Sequence, residues 1–169
     1  FKVNGAEALK LAHSYGVSLT TFLCAAVMMA LQNMQNERVS NIRRRKMIRV
    51  QVPVNLRKIF PSRTLRNFVL YTTPEIDPRL GTYTFPEICQ AVKNRIGLEV
   101  TPKIMSSRIA ANVSSEKLLI VRIMPLFLKN MVMKAIFNVI GEKKACLCMS
   151  NLGQVNVPEE MKNYVKSLL

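Results

Sequence analysis

Tryptophan is absent from this 169-residue chain, histidine occurs once, at His13, and aspartate once, at Asp77. Each scarcity closes a route to chemistry. A nucleophile with a general base needs a histidine or a perturbed carboxylate within hydrogen-bond reach. His13 stands beside Ser14 and Tyr15 with nothing around it that resembles a triad, so it reads as a partly exposed helix residue. The glutamates are spread singly apart from Glu159-Glu160, which leaves no carboxylate pair or metal-ligating cluster. The glycines form neither a GxGxxG turn nor a Walker loop. No two cysteines have the two-residue spacing of zinc or redox motifs. An unbroken apolar run long enough for a bilayer is also missing. Leu118 to Ile140 is interrupted by Arg122, Pro125, Lys129 and Lys134, so no membrane span is expected; two shorter helices, buried or lining a groove, are.

What is present suffices for a folded domain. A chain of this length buries roughly 70% of its unfolded surface, and 49% hydrophobic against 21% charged residues is an ordinary globular balance. One domain over 1–169 is expected. The charge is lopsided: 25 Lys and Arg against 10 acidic residues give +15, which favours anionic ligands or partners. Only Arg43, Arg44, Arg45 and Lys46 form a basic run. With 7% aromatic residues and no recognition module beside the charge, nucleic acid is not the expected partner. Cys24, Cys89, Cys146 and Cys148 sit inside apolar segments and read as buried thiols of a reducing, cytoplasmic compartment. There is no leading Met and no signal-peptide pattern, so the chain is expected to begin inside a longer protein.

Periodicity predicts a layered α/β arrangement with a mixed sheet. A short amphipathic helix runs from Gly5 to a glycine stop at Gly16, and a second, N-capped by Ser18, is apolar nearly all round and expected to be buried. Ile48, Val50, Val52 and Val54 alternate with polar positions, giving a strand whose end or edge Pro53 marks. A loop over 55–65 leads to a second strand over 66–76. Thr84 caps a helix with Pro86 and Glu87 in its first turn. Thr101-Pro102 opens another with a thin apolar side, and the segment after Gly141 reads as a strand running into an Asn151-Leu152-Gly153 turn. A short closing helix starts near Pro158.

Three segments, GVSLTTFLCAAVMMAL, VPVNLRKIFPSRTLRNFVLYTTPEID and CMSNLGQVNVP, occur in this order and spacing. In that respect the chain resembles the C-terminal half of the chloramphenicol-acetyltransferase-like superfamily, which includes condensation domains, polyketide-associated acyltransferases and alcohol acetyltransferases. The resemblance implies one lobe of a two-lobed, CoA-dependent acyltransferase fold. Such enzymes move an acyl group from a thioester donor to an alcohol or amine, through a first lobe whose HHxxxDG motif supplies the base. No such motif occurs in this chain. The implied partner is therefore the N-terminal lobe of the same parent, and the chain alone is expected to be inactive.

Carried over to this sequence, the resemblance implies that Asn55 and Arg57 finish a strand near the channel and that Arg66, Asn67 and Phe68 begin its partner. Ser150, Asn151 and Gly153 would turn near the donor tunnel. No cofactor is implied as tightly bound; acyl-CoA, or the phosphopantetheine of an acyl carrier protein, would be the donor substrate, with the Arg43 to Lys46 patch attracting its phosphates. An isolated lobe would leave sheet edges and a lobe-facing surface uncovered, so a homo-oligomer is expected. Two other classes stay open: a basic α/β module binding nucleic acid or an acidic protein, and an assembly protein whose Met-rich 118–140 region packs on a partner helix.

Overall fold

The computed structural model describes residues 4–65, 67–117, 123–141, 145–150 and 159–162. Helix α1 spans Gly5–Ser14, begun by Asn4, whose side chain accepts from the Ala6 amide. It ends where a left-handed residue is needed. Gly16 has φ 66°, its amide donates to the His13 carbonyl and that of Val17 to Ala12, a Schellman closure that glycine adopts without Cβ strain. Helix α2, Leu19–Arg38, follows at once, capped by the Ser18 hydroxyl on the Thr21 amide. One face of α2 is buried, through Thr21, Cys24, Ala25, Met28 and Gln32, while Leu23 and Met34 face solvent. The helix is thus buried against the sheet as expected, but on one face alone, the side that the sheet and the next long helix cover.

Strand β1, Ile48–Asn55, is the middle of a mixed sheet with β2, Val69–Thr72, β3, Glu75–Ile76, and β4, Leu147–Cys148. Its pairings explain why the expected second strand is interrupted. Val52 opposes Thr72 and Ile48 opposes Ile76 in one continuous antiparallel register, so β2 and β3 are two lengths of one edge. Between them Pro74 lacks an amide, and only its carbonyl accepts, from Val50. On the opposite edge β4 runs parallel, with Cys146 and Met149 donating to Arg49 and Gln51. Pro53 lies inside β1, not at its end. Odd-numbered β1 residues turn their backbone groups toward β4, so the missing amide of Pro53 falls past the Leu147–Cys148 pairing, while Val54 and Asn55 continue opposite β2.

The alternation of β1 decides where the core lies. Ile48, Val50 and Val52 are buried against Cys24, Ala25 and Met28 of α2 and against Ile88, Cys89 and Val92 of helix α3, Phe85–Glu99. Arg49, Gln51 and Pro53 occupy the other face. The start of α3 is fixed by its capping box, in which the Glu87 carboxylate accepts from the amide (2.7 Å) and the hydroxyl (2.8 Å) of Thr84. The Thr84 amide bond holds the Glu87 carboxyl below its usual range. Tyr15, Phe22 and Phe85 tie α1, α2 and α3 together, with ring centroids 5.1–5.9 Å apart.

Two glutamines of α2 make bonds that the sequence did not announce. Gln32, fully buried, donates to the carbonyl of Tyr83 and accepts from its amide, both at 2.9 Å. One turn on, Gln35 accepts from the Lys46 amide (2.8 Å) and donates to the Lys46 carbonyl (3.0 Å). Each side chain imitates a strand neighbour to one residue of an extended segment.

A second knot closes α3. Glu99 accepts from the Thr72 hydroxyl at 2.8 Å, from Arg95 at 2.7 Å and from Arg108 at 3.0 Å. Arg108 lies on helix α4, Pro102–Lys117, and also donates to the Tyr71 carbonyl. Burial pushes the Glu99 carboxyl up, but the Thr72 hydroxyl and the two guanidiniums outweigh it and hold it below its ordinary 4.5. The expected thin apolar side of α4 corresponds to one buried apolar residue, Met105.

The 118–140 run behaves differently from expectation. Helix α5, Leu126–Ile136, does start after Pro125 and continues into a π turn, Phe137–Gly141, but it buries no residue. Of the two expected alternatives, buried or lining a groove, burial is overturned: from Leu126 to Ile136 every side chain is exposed or half-buried. In that turn the Phe137 ring lies so close to Gly141 that a Cβ there would meet it at 2.5 Å. Residues 118–122 and most of the late turn and closing helix lie outside the described set; Glu159–Lys162 forms a short α6.

Replacing Gln32 with Ala should lower unfolding free energy in urea by about 2–4 kcal/mol, because two backbone groups of Tyr83 lose their partner away from bulk water; a loss under about 0.5 kcal/mol would show that water replaces the amide. Glu99 has a folded pKa below its unfolded one, so its contribution is present above the unfolded value and disappears as pH falls below about 4.5 toward the folded value. Stability measured across that window should fall less steeply in Glu99→Gln than in the parent.

Candidate anion-binding cleft

Arg45, Lys46, Met47, Arg49, Arg79, Ala145 and Cys146 enclose a cleft of about 490 Å³, open to solvent, at the start of β1. Each wall has a local cause. The basic run begins in a 3-10 turn, Ile42–Arg44, that Asn41 caps through the Arg43 amide. Gln35 then clamps Lys46, and the Arg45 guanidinium donates to the Val39 carbonyl at 3.4 Å, so both residues are set before the strand starts. Arg49 is an odd position of β1 and therefore stands on the face away from the core. Its register partner Glu75 meets it at 2.8 Å, a pair about one-third exposed on each side that orients Arg49 more than it stabilises the fold.

The fourth cation comes from the turn after β3. Asp77 accepts from the Arg79 amide at 3.0 Å and holds its guanidinium through both carboxylate oxygens, the shortest contact being 2.6 Å. The Arg79 side chain keeps the Asp77 carboxyl below its ordinary range, and Asp77 in turn raises Arg79. Two of the four cations are thus paired. Among the described residues neither Arg45 nor Lys46 has a carboxylate within ion-pair distance. A cleft with two paired and two uncompensated cations attracts an anion and offers it forked donors.

The structure places the expected residues unequally. Of the basic run, Arg45 and Lys46 line the cleft, whereas Arg43 and Arg44 are exposed on the turn before it. Asn55 and Arg57 sit at the far end of β1, roughly 20 Å away at ~3.3 Å per strand residue. There Asn55 caps the Leu56–Lys58 turn through the Arg57 amide, and Arg57 donates to the Thr64 carbonyl, which closes the 55–65 loop. Asn67 and Ser150 are exposed, and neither lines the cleft. Arg66, Asn151 and Gly153 lie outside the described residues. Sequence reading missed Arg49, Arg79 and Gln35. The alternation in β1 already put Arg49 off the core face, but only the register shows that Arg79 arrives beside it.

The cysteines divide in two. Cys24 and Cys89 are buried as expected; burial alone pushes the Cys24 thiol up to about 12 and Cys89 in the same direction. Cys146 and Cys148 are exposed, which corrects the expectation of four buried thiols. They lie two apart on the exposed face of the short edge strand β4, whose other face, Leu147 and Met149, packs against the core. The Cys146 thiol lies 3.9 Å from the Met47 carbonyl, at the cleft wall. Among the described residues no group of His, Cys, Asp or Glu could hold a metal ion. Neither family models, nor curated proteins, nor solved structures compared with this chain give a match.

A thiol-titrating disulfide reagent should react quickly with two thiols of the folded protein, Cys146 and Cys148, and with Cys24 and Cys89 only at the rate of unfolding. Four fast thiols would contradict the burial of α2 and α3 against the sheet.

Proposed function

We propose that the chain is one lobe of a cytoplasmic acyltransferase and that the cleft at the start of β1 receives the phosphate end of its thioester donor. The observation that carries this reading is the convergence of Arg45, Lys46, Arg49 and Arg79 on one cleft, two of them without a described carboxylate partner. Coenzyme A presents a diphosphate and a further phosphate on its nucleotide. Arginine forks and a lysine point charge suit such a cluster. The acyl end of the donor would extend away from the cleft.

The cleft is suited to holding a donor, not to transferring its acyl group. His13 lies on α1 and does not line it, and among the described residues the carboxylates paired with its arginines, Glu75 and Asp77, are engaged by them. The base that takes the acceptor's proton would come from a companion lobe of the parent protein, in keeping with the absence of HHxxxDG here. A bounded cleft with methionine, alanine and cysteine among its cations supports a nucleotide-phosphate ligand over a nucleic-acid strand, whose bases call for aromatic stacking surfaces.

Coenzyme A should bind the chain and slow the labelling of Cys146 while leaving that of Cys148 unchanged. Arg45→Ala with Lys46→Ala should weaken binding by roughly tenfold or more, with rising salt reducing the difference. Acetyl-CoA should be neither hydrolysed nor used for transfer by the chain alone. Equal affinity for a phosphate-free pantetheine thioester, or turnover by the isolated chain, would overturn the reading.

A further inference from the structure

Helix α5 and the π turn behind it carry the largest apolar exposure among the described residues. Leu126, Phe127, Met131, Val132, Ile136 and Phe137 are all exposed, from 39% at Val132 to 74% at Phe127. The exposure is not confined to one stripe. At ~3.6 residues per turn Leu126, Met131 and Val132 project about a third of a turn from one another. A partner helix or a flat protein face would cover one of those directions and leave the others wet. A fluid apolar medium covers several at once.

The charges select which medium. Residues 123–141 contain Lys129 and Lys134 and no Asp or Glu, and the chain as a whole carries +15. Two copies meeting through this helix would bring four ammonium groups together without a carboxylate between them. An anionic surface is complementary. The π turn ends at Gly141, and Ala145 lines the cationic cleft. Four peptide units reach at most ~15 Å, so apolar arm and cleft are neighbours. At ~1.5 Å per residue, α5 is about half as long as the hydrocarbon core is thick. That fits a helix lying in one leaflet, and no single helix among the described residues is long and apolar enough to cross.

We propose that α5 and the π turn form an arm that enters the interface of an anionic bilayer. Its apolar side chains sit at the acyl boundary, and the stems of Lys129 and Lys134 run outward so that their ammonium groups reach the headgroups. The arm is separate from donor binding: its residues line no part of the cleft.

The full chain should float with vesicles of phosphatidylcholine containing about one-third phosphatidylserine, and bind pure phosphatidylcholine vesicles at least tenfold more weakly, at roughly fivefold per lysine. Phe127→Glu with Met131→Glu should abolish flotation on both. Lys129→Gln with Lys134→Gln should remove most of the preference for the anionic vesicles. Because these side chains are exposed, the folded baseline is checked by unchanged circular dichroism and unchanged coenzyme A affinity, which separates failure of this proposal from failure of the donor reading. Flotation that survives Phe127→Glu with Met131→Glu, or is lost only on mutating Arg45 and Lys46, would overturn the proposal. So would absent flotation, or concentration-dependent self-association that those α5 substitutions abolish.

Discussion

Two amides on one face of α2 set the position of nearly everything else. Gln32 and Gln35, three residues apart and thus on neighbouring sides of the helix, each bind both backbone groups of a single distant residue, Tyr83 and Lys46. A buried amide without partners would cost several kcal/mol, so Gln32 is compatible with the core only where Tyr83 returns to it. That condition fixes where α3 begins. The Gln35 bond does the same for the entry to β1, and from that entry follow the core face of Ile48, Val50 and Val52 and the outward face of Arg49.

The cleft is a consequence of this anchoring together with one strand register. Lys46 is held by α2, Arg49 follows two residues into the strand, and β3 brings Glu75 opposite Arg49 and, two residues later, the Asp77–Arg79 fork. The β4 strand closes the remaining side through the Cys146 amide on the Arg49 carbonyl. Three segments far apart in sequence therefore meet over one end of β1. Asn55 and Arg57, at its other end, serve the geometry of their own loop, as residues after strands commonly do.

Secondary structure was legible wherever local chemistry suffices. The Gly16 stop, the Ser18 cap, the Thr84 cap and the alternation of β1 all depend on neighbours within four residues, and the structure has them where the sequence puts them. The misreadings share the opposite property. Whether α5 is buried depends on what lies beside it, and apolar character says only that burial would be favourable. Cys146 and Cys148 sit among apolar residues, yet β4 is a short edge strand and leaves them open. Pro53 showed that a ladder bond is lost, without showing on which side.

By itself the sequence determined the α/β class, the helix ends, the core side of β1 and the strong positive charge, because caps, turns, alternation and charge count are properties of short segments. It also showed that the chain lacks a histidine motif for acyl transfer. Only the tertiary structure decided which cations gather and which apolar surface stays uncovered. Both depend on strand register and on the return of the chain to the α2 glutamines across as many as 51 residues, a distance over which no local pattern carries information.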